Sequence, residues 1–147
     1  MSQPLTIETV PGGDDGLRTA LATARLPVDD LDEPGRVFYH FLDDGRTVGF
    51  GGLERHGAYA LLRSVVVPAE QQGKGFGRAI TQELLDQAHD AGIGAVYLLT
   101  ESAARFFTRL GFRAISRDLA PAAILATRQA AGLCPASATL MVKDLTA

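Results

Sequence analysis

The chain has 147 residues, 46% of them hydrophobic, and its 14 basic residues are scattered among 17 acidic ones for a formal net charge of −3. This is enough apolar side chain for one domain with a real core and argues against disorder. Without a basic stripe a nucleic-acid partner is not expected, and no apolar run is long enough to suggest a membrane span.

The start, MSQPLTIETV, has neither the basic region nor the apolar region of a signal peptide, so a cytoplasmic location is the expectation. Leu5, Ile7 and Thr9 alternate with polar neighbours and predict a short first strand. Pro11-Gly12-Gly13 stops it, and Asp14 or Asp15 is placed to cap a helix running to about Ala24, with Leu17 and Leu21 one turn apart on its inner face. The stretch 26–35 holds two prolines and four acids and reads as a loop. Residues 36–42 are strand-like, Asp43-Asp44-Gly45-Arg46 is a hairpin signal, and 47–54 is the return strand. Gly49, Gly51 and Gly52 within it point to a bulge or a close neighbour. After a turn at Arg55-His56-Gly57, residues 58–67 form a longer apolar strand ending in Val65-Val66-Val67. This first half reads as an antiparallel meander.

The second half alternates. A glycine-rich loop at 73–77 leads into a helix to about Asp90, on which Phe76, Ile80, Leu84 and Ala88 recur every fourth residue, and Gly92 is placed as its C-terminal cap. A strand at 95–100, a helix at 102–110, a strand at 112–116, a helix at 121–131 and a last strand at 138–145 complete the reading. The fold class is α/β (α+β): one domain over 1–147, with a mostly antiparallel sheet flanked by helices. No internal repeat or linker interrupts it. The single cysteine, Cys134, rules out an intrachain disulfide. That cysteine and the three histidines, His40, His56 and His89, show no metal-ligand spacing, so no metal is expected.

The strand–glycine loop–helix unit at 64–90 carries the chemistry. A helix N-terminus presents unpaired N–H groups and about half a positive charge. Glycines allow the backbone to approach an oxyanion closely and aim successive amides at it, which points to a phosphate or diphosphate ligand. Gly73, Gly75 and Gly77 do not make a P-loop, which needs G-x-x-x-x-G-K-[ST]. Nor do they make the G-x-G-x-x-G of a dinucleotide fold with its parallel units.

Gln72-x-x-Gly75-x-Gly77, directly after Val65-Val66-Val67 and directly before an amphipathic helix, resembles the acetyl-CoA motif of GNAT N-acetyltransferases. Ala103-x-x-Phe106-Phe107-x-x-Leu110-Gly111-Phe112 resembles a second block of that family. The resemblance implies acetyl-CoA as co-substrate and a central sheet with a splayed strand pair at its site. It implies that the backbone of Val65, Val66 and Val67 pairs with the pantetheine arm, and that Gln72, Gly73, Lys74, Gly75, Gly77 and Arg78 hold the diphosphate. The N–H of Val67 or a neighbour would polarise the thioester carbonyl. Within the family, Tyr97-Leu98-Leu99-Thr100, Ala120-Pro121-Ala122-Ala123-Ile124 and Leu133-Cys134-Pro135-Ala136-Ser137-Ala138 resemble the arsenic-resistance N-acetyltransferases, together with Leu62-Arg63-Ser64-Val65. That likeness implies an amino-acid-like acceptor bearing a phosphinate or arsinate. One departure stands out. Many members carry a tyrosine at the position of Phe107, and it commonly protonates the departing thiolate, whereas phenylalanine has no proton to give.

Other side chains have a chemical and a plain reading. Glu54 at a strand end is a base acting through water, or a solvated acid. Arg63 in an apolar strand binds an acidic group of the acceptor, or pairs with a neighbouring carboxylate. Ser64, Thr100 and Ser137 hydrogen-bond substrate, or satisfy backbone groups. Phe106 lines the thioester channel or fills core. Cys134 is an acid or nucleophile, or a small buried apolar residue. The expected activity is acetyl transfer from acetyl-CoA to the amine of a small molecule by a monomer or homodimer. The alternative is a non-catalytic acyl-CoA-binding sensor or partner protein.

Overall fold

The computed structural model describes residues 5–133 and 137–145, and Cys134 lies outside them. The first strand, β1 (Thr6–Val10), leads to the helix α1 (Asp15–Thr23). Asp14 is the cap: its carboxylate accepts the Leu17 N–H at 2.9 Å, and Leu17 and Leu21 are fully buried. Strands β2 (Arg36–Asp43) and β3 (Arg46–His56) meet at Asp44-Gly45, with φ of 51° and 78°. Two positive φ values in succession match the twist of a tight hairpin. Strand β4 (Tyr59–Val66) closes an antiparallel meander.

The chain then makes α2 (Phe76–Asp90), β5 (Ala95–Thr100), α3 (Ala104–Arg109), β6 (Arg113–Ala114), α4 (Ala122–Leu125) and β7 (Thr139–Asp144). The seven strands form one mixed sheet in the order β1-β2-β3-β4-β5-β7-β6, antiparallel except between β4 and β5. Helix α2 covers one face with Ile80, Leu84, Leu85 and Ala88, all buried. The glycines of β3 permit this: a Cβ at Gly49 would lie 2.5 Å from a methyl of Ile80, and one at Gly51 2.6 Å from a methyl of Leu84. Helix α1 joins a second cluster with Leu31, Phe38 and Phe50.

Two irregularities shape the middle of the sheet. Between the pairs Gly52↔Arg63 and Phe50↔Val66, β4 carries one residue more than β3. This bulge holds Ser64 at a φ of 60°. Beside it, the parallel pairing of β4 with β5 stops at Leu61↔Tyr97, while β5 stays paired to β7 as far as Thr100. The two strands therefore part, as the family resemblance implies.

Three expected elements are shorter than their hydrophobic patterns. The Thr100 hydroxyl accepts the Ala103 N–H at 3.0 Å, so α3 begins at Ala104 rather than at 102. The strand expected over 112–116 is only β6, because Ser116 caps a 3₁₀ turn at Arg117–Leu119 through the Asp118 N–H. The helix expected over 121–131 breaks after α4. Thr127 turns its hydroxyl onto the Ile124 carbonyl at 2.7 Å, and Gln129–Leu133 winds as a wide π turn.

Candidate active site

The gap between β4 and β5 opens into a cleft of about 1050 Å³. One wall is the end of β4 and its continuation, from Leu62 to Val67. The facing wall is the end of β5 and the segment to Ala103, and residues 24–29 after α1 close a third side. Beyond Leu61 the edge of β4 toward β5 has no strand partner. Its N–H and C=O groups are thus available to an extended ligand.

The mouth of the cleft is the start of α2. Gly75 precedes it at a φ of 85°, no side chain caps it, and its first turn carries no acid. Gly73 also has a positive φ, 80°, and open space surrounds the place of a Cβ at both glycines. The Gln72 side-chain amide donates to the Val67 carbonyl at 3.0 Å and ties the loop to the strand end. Gly77 sits under Phe106, whose ring would be 3.4 Å from a Cβ there. Lys74 donates to the Gln71 side chain at 3.2 Å, and Arg78 is exposed on the first turn. Successive backbone amides, a helix dipole and two cations with no acid among them fit a diphosphate.

Of the residues singled out from sequence, Ser64, Val65, Val66, Val67, Gln72, Gly77, Thr100 and Phe106 meet on the cleft. Gly73, Lys74, Gly75 and Arg78 stand at its mouth, exposed. Thr100 spends its hydroxyl oxygen on the Ala103 N–H, and Ser137 is exposed. Phe107 packs edge-on against Phe106 and Phe112, with ring centroids 5.1 and 5.7 Å apart, and offers the cleft no polar atom.

Two expectations are corrected. Arg63 was read as a fork for an acidic acceptor or as paired with a neighbouring carboxylate, and the acceptor reading gives way to the pairing, because its side chain is fully buried. Its two terminal nitrogens donate to the two Asp30 oxygens, each at 2.6 Å, one of them also donates to Glu54 at 3.0 Å, and Nε donates to the Ser64 hydroxyl at 3.3 Å. A buried guanidinium requires such partners, and these consume its fork. Glu54, read as a base, is 1% exposed and lies outside the cleft lining; its oxygens are taken by Arg63, by Arg36 at 3.5 Å and by His56 at 2.6 Å. Arg36 also reaches Asp30 at 2.9 Å. Burial pushes the Asp30 carboxyl up, but the hydrogen bonds and charges of Arg63 and Arg36 outweigh it and hold the pKa at about 2. Burial likewise pulls the Arg63 pKa down, and its bonds to Asp30 and Glu54 raise it above the usual value.

Sequence reasoning missed Asp30 and the wall at 24–29. Their one signal was a short loop with two prolines and four acids, which says nothing of which acid turns inward. The wall brings Arg25 and Asp29 to the cleft, both exposed. Among the described residues no group of three or more His, Cys, Asp or Glu is arranged to hold a metal ion, and no helix is long and apolar enough to cross a membrane.

A family model described as "Acetyltransferase (GNAT) domain" matches residues 34–114. The mycothiol acetyltransferase of Rhodococcus jostii (strain RHA1) is 33% identical over 100 residues, 60% of this chain and 33% of that protein. The chain thus spans about a third of the length of that curated relative. Among solved structures, N-acetylglutamate synthase from Neisseria gonorrhoeae, complexed with coenzyme A and L-arginine, superposes with a TM-score of 0.77 at 19% identity, over 97% of this chain and 34% of that one. Tetrahymena GCN5 superposes with a TM-score of 0.73 at 15% identity, over 96% of each chain. At such identities these two likenesses speak for the fold.

Proposed function

This chain belongs to the GNAT acetyltransferases, and we propose that it moves an acetyl group from acetyl-CoA to the amine of a small molecule held between β4 and β5. The observation that carries this reading is the uncapped start of α2, behind Gly73 and Gly75, at the mouth of the cleft where β4 and β5 part. Coenzyme A in the N-acetylglutamate synthase of the same fold supports the choice of ligand.

In this reading the amides of 73–78 hold the diphosphate, with Lys74 and Arg78 adding charge. The free edge of β4 through Val65, Val66 and Val67 takes the pantetheine arm as an added strand would be taken, and directs the thioester toward the bulge. Phe106 walls the thioester. The N–H of Val67 or a neighbour points at the carbonyl oxygen and stabilises the charge that grows there. Holding both reactants in one cleft supplies much of the rate. With Glu54 and Arg63 engaged in the fold, the amine loses its first proton to water in the open cleft.

We take the acceptor to be amino-acid-like, with arsinate- or phosphinate-bearing amino acids among its members. The C-terminal likeness to arsenic-resistance acetyltransferases supports this, and Arg25 on the third wall is the cation placed to meet an acidic group. Acetyl-CoA consumption tests the reading over a panel of amino acids, their phosphinate and arsinate analogues, and a polyamine. Turnover of an amino-acid-like amine is expected. Coenzyme A binding without turnover of any amine would replace the reading with a non-catalytic sensor, and preference for the polyamine would remove the acidic acceptor.

A further inference from the structure

We propose that Ser64 is the catalytic residue that passes the proton from the attacking nitrogen to the departing sulfur; this rests on the acetyl-transfer reading above. Phe107 leaves that task unfilled. Of the cleft's other polar side chains, Asp29, Glu101 and Ser102 lie exposed at the rim, Arg25, Arg63, Gln72 and Gln129 have no hydroxyl to relay a proton, and Thr100, which accepts the Ala103 N–H, stands on the facing wall at the end of β5. Ser64 is half-buried on the cleft wall, directly before the strand end assigned to the pantetheine arm.

Its backbone is the second observation. Ser64 occupies the left-handed region at a φ of 60°, where a residue with a Cβ is strained and glycine is not. Most such positions among the described residues are glycine, as at Gly73 and Gly75, and apart from Ser64 only Arg25 and Asp44 depart from this. A strained serine kept at the cleft points to a need for its hydroxyl.

The third observation is what holds that hydroxyl. Arg63 Nε donates to Ser64 Oγ at 3.3 Å, and Arg63 is itself clamped by Asp30 and Glu54. One lone pair of Oγ is therefore committed to a fixed cation. The second lone pair and the O–H remain for the cleft, one to accept and one to donate. The buried ion cluster thereby acquires a role beyond the fold, with Arg63 as the positioning residue.

A serine cannot give up its proton alone, because an alcohol is a far weaker acid than a thiol. The step balances when Ser64 accepts and donates together. The amine's lone pair forms the C–N bond, and Ser64 Oγ takes the proton that the cationic nitrogen sheds. The C–S electron pair leaves on sulfur, and the sulfur takes the original Oγ proton. Amide and free thiol result, and the serine ends neutral.

Ser64→Gly separates this role from a structural one, because it removes the hydroxyl and the strain together. Thermal melting should show a Tm unchanged or raised, and calorimetry should show coenzyme A affinity within about threefold of the parent. With acetyl-CoA and the best amine of the panel, kcat should fall by about a hundredfold, within the usual range of general acid–base assistance. The solvent isotope effect on kcat should shrink with it. Ser64→Ala, which keeps the Cβ, should lose kcat equally. Either variant folded and turning over within about threefold of the parent overturns the proposal and leaves the acetyltransferase reading standing. If the parent protein itself acetylates no amine, both fall.

Discussion

Two neighbouring regions at the C-terminal end of β4, the bulge and the loop beyond the strand, are both rich in polar groups and are built in opposite ways. Beside the bulge, Arg63, Arg36, Asp30 and Glu54 bring two charges of each sign into the interior, and among the described residues no buried side-chain nitrogen or oxygen lacks a partner. Past the strand end, the loop at 72–78 places glycine at every other position and leaves its helix start uncapped. Charge in the first region is spent on holding the chain together. Hydrogen-bonding capacity in the second is left open to a ligand. The buried ionisable residues thus mark structure, and it is the glycine-rich loop that the proposed function assigns to binding.

Removing one partner from the cluster is the strongest way to break this contrast. Asp30→Asn leaves two arginines with Glu54 as their only shared anion and should destabilise the fold by about 3–5 kcal/mol in urea denaturation. A loss below about 1 kcal/mol would mean that the cluster is hydrated and the contrast false. Acid should find the same group. Because the folded pKa of Asp30 is lowered from 3.8 to about 2, its contribution is complete above about pH 4 and is lost as pH falls toward 2. That loss amounts to about 2 kcal/mol in denaturation midpoints followed across this window, and the Asp30→Asn variant should lack it.

The open region should respond in binding instead. Gly75→Asp puts a carboxylate and a side chain at the diphosphate site, and acetyl-CoA affinity by calorimetry should fall at least about tenfold, or about 1.4 kcal/mol. Undiminished affinity would place the diphosphate elsewhere. The smallest effect is expected between the two regions. Phe107→Tyr adds a hydroxyl to a ring packed between Phe106 and Phe112, and turnover should stay within about twofold of the parent. A tenfold gain would show that a hydroxyl there reaches the sulfur and that Ser64 is not the better donor.

The fold was legible wherever local chemistry decides: the Asp14 cap, the Asp44-Gly45 hairpin and the four-residue period of α2; the parting of two strands was implied only by the family resemblance. It was misread at Thr100, Ser116 and Thr127, where one hydroxyl ends or displaces an element that the hydrophobic pattern would continue. The geometry of the glycine loop was legible because glycine spacing is itself the signal, with Gly73 and Gly75 both at positive φ. Arg63 and Glu54 were not, since a strand's alternation says that a charge faces one side but not what waits there. The main partner of Arg63 is Asp30, 33 residues away in sequence, in a loop whose four acids look alike until one is buried, and Glu54 is held by Arg63, Arg36 and His56.

The strand order has a consequence in time. β7, at 139–144, lies between β5 and β6, both of which precede it in the chain. The meander of β1 to β4 can pair as soon as it is made, from neighbouring hairpins. β5 must hold an open edge until almost forty further residues have emerged. Its sequence, Ala-Val-Tyr-Leu-Leu-Thr, is the apolar, uncharged kind that joins strands of other molecules when left unpaired. Arrival of β7 is therefore expected to be the late, rate-limiting closure of the domain and the interval in which it is most prone to aggregate.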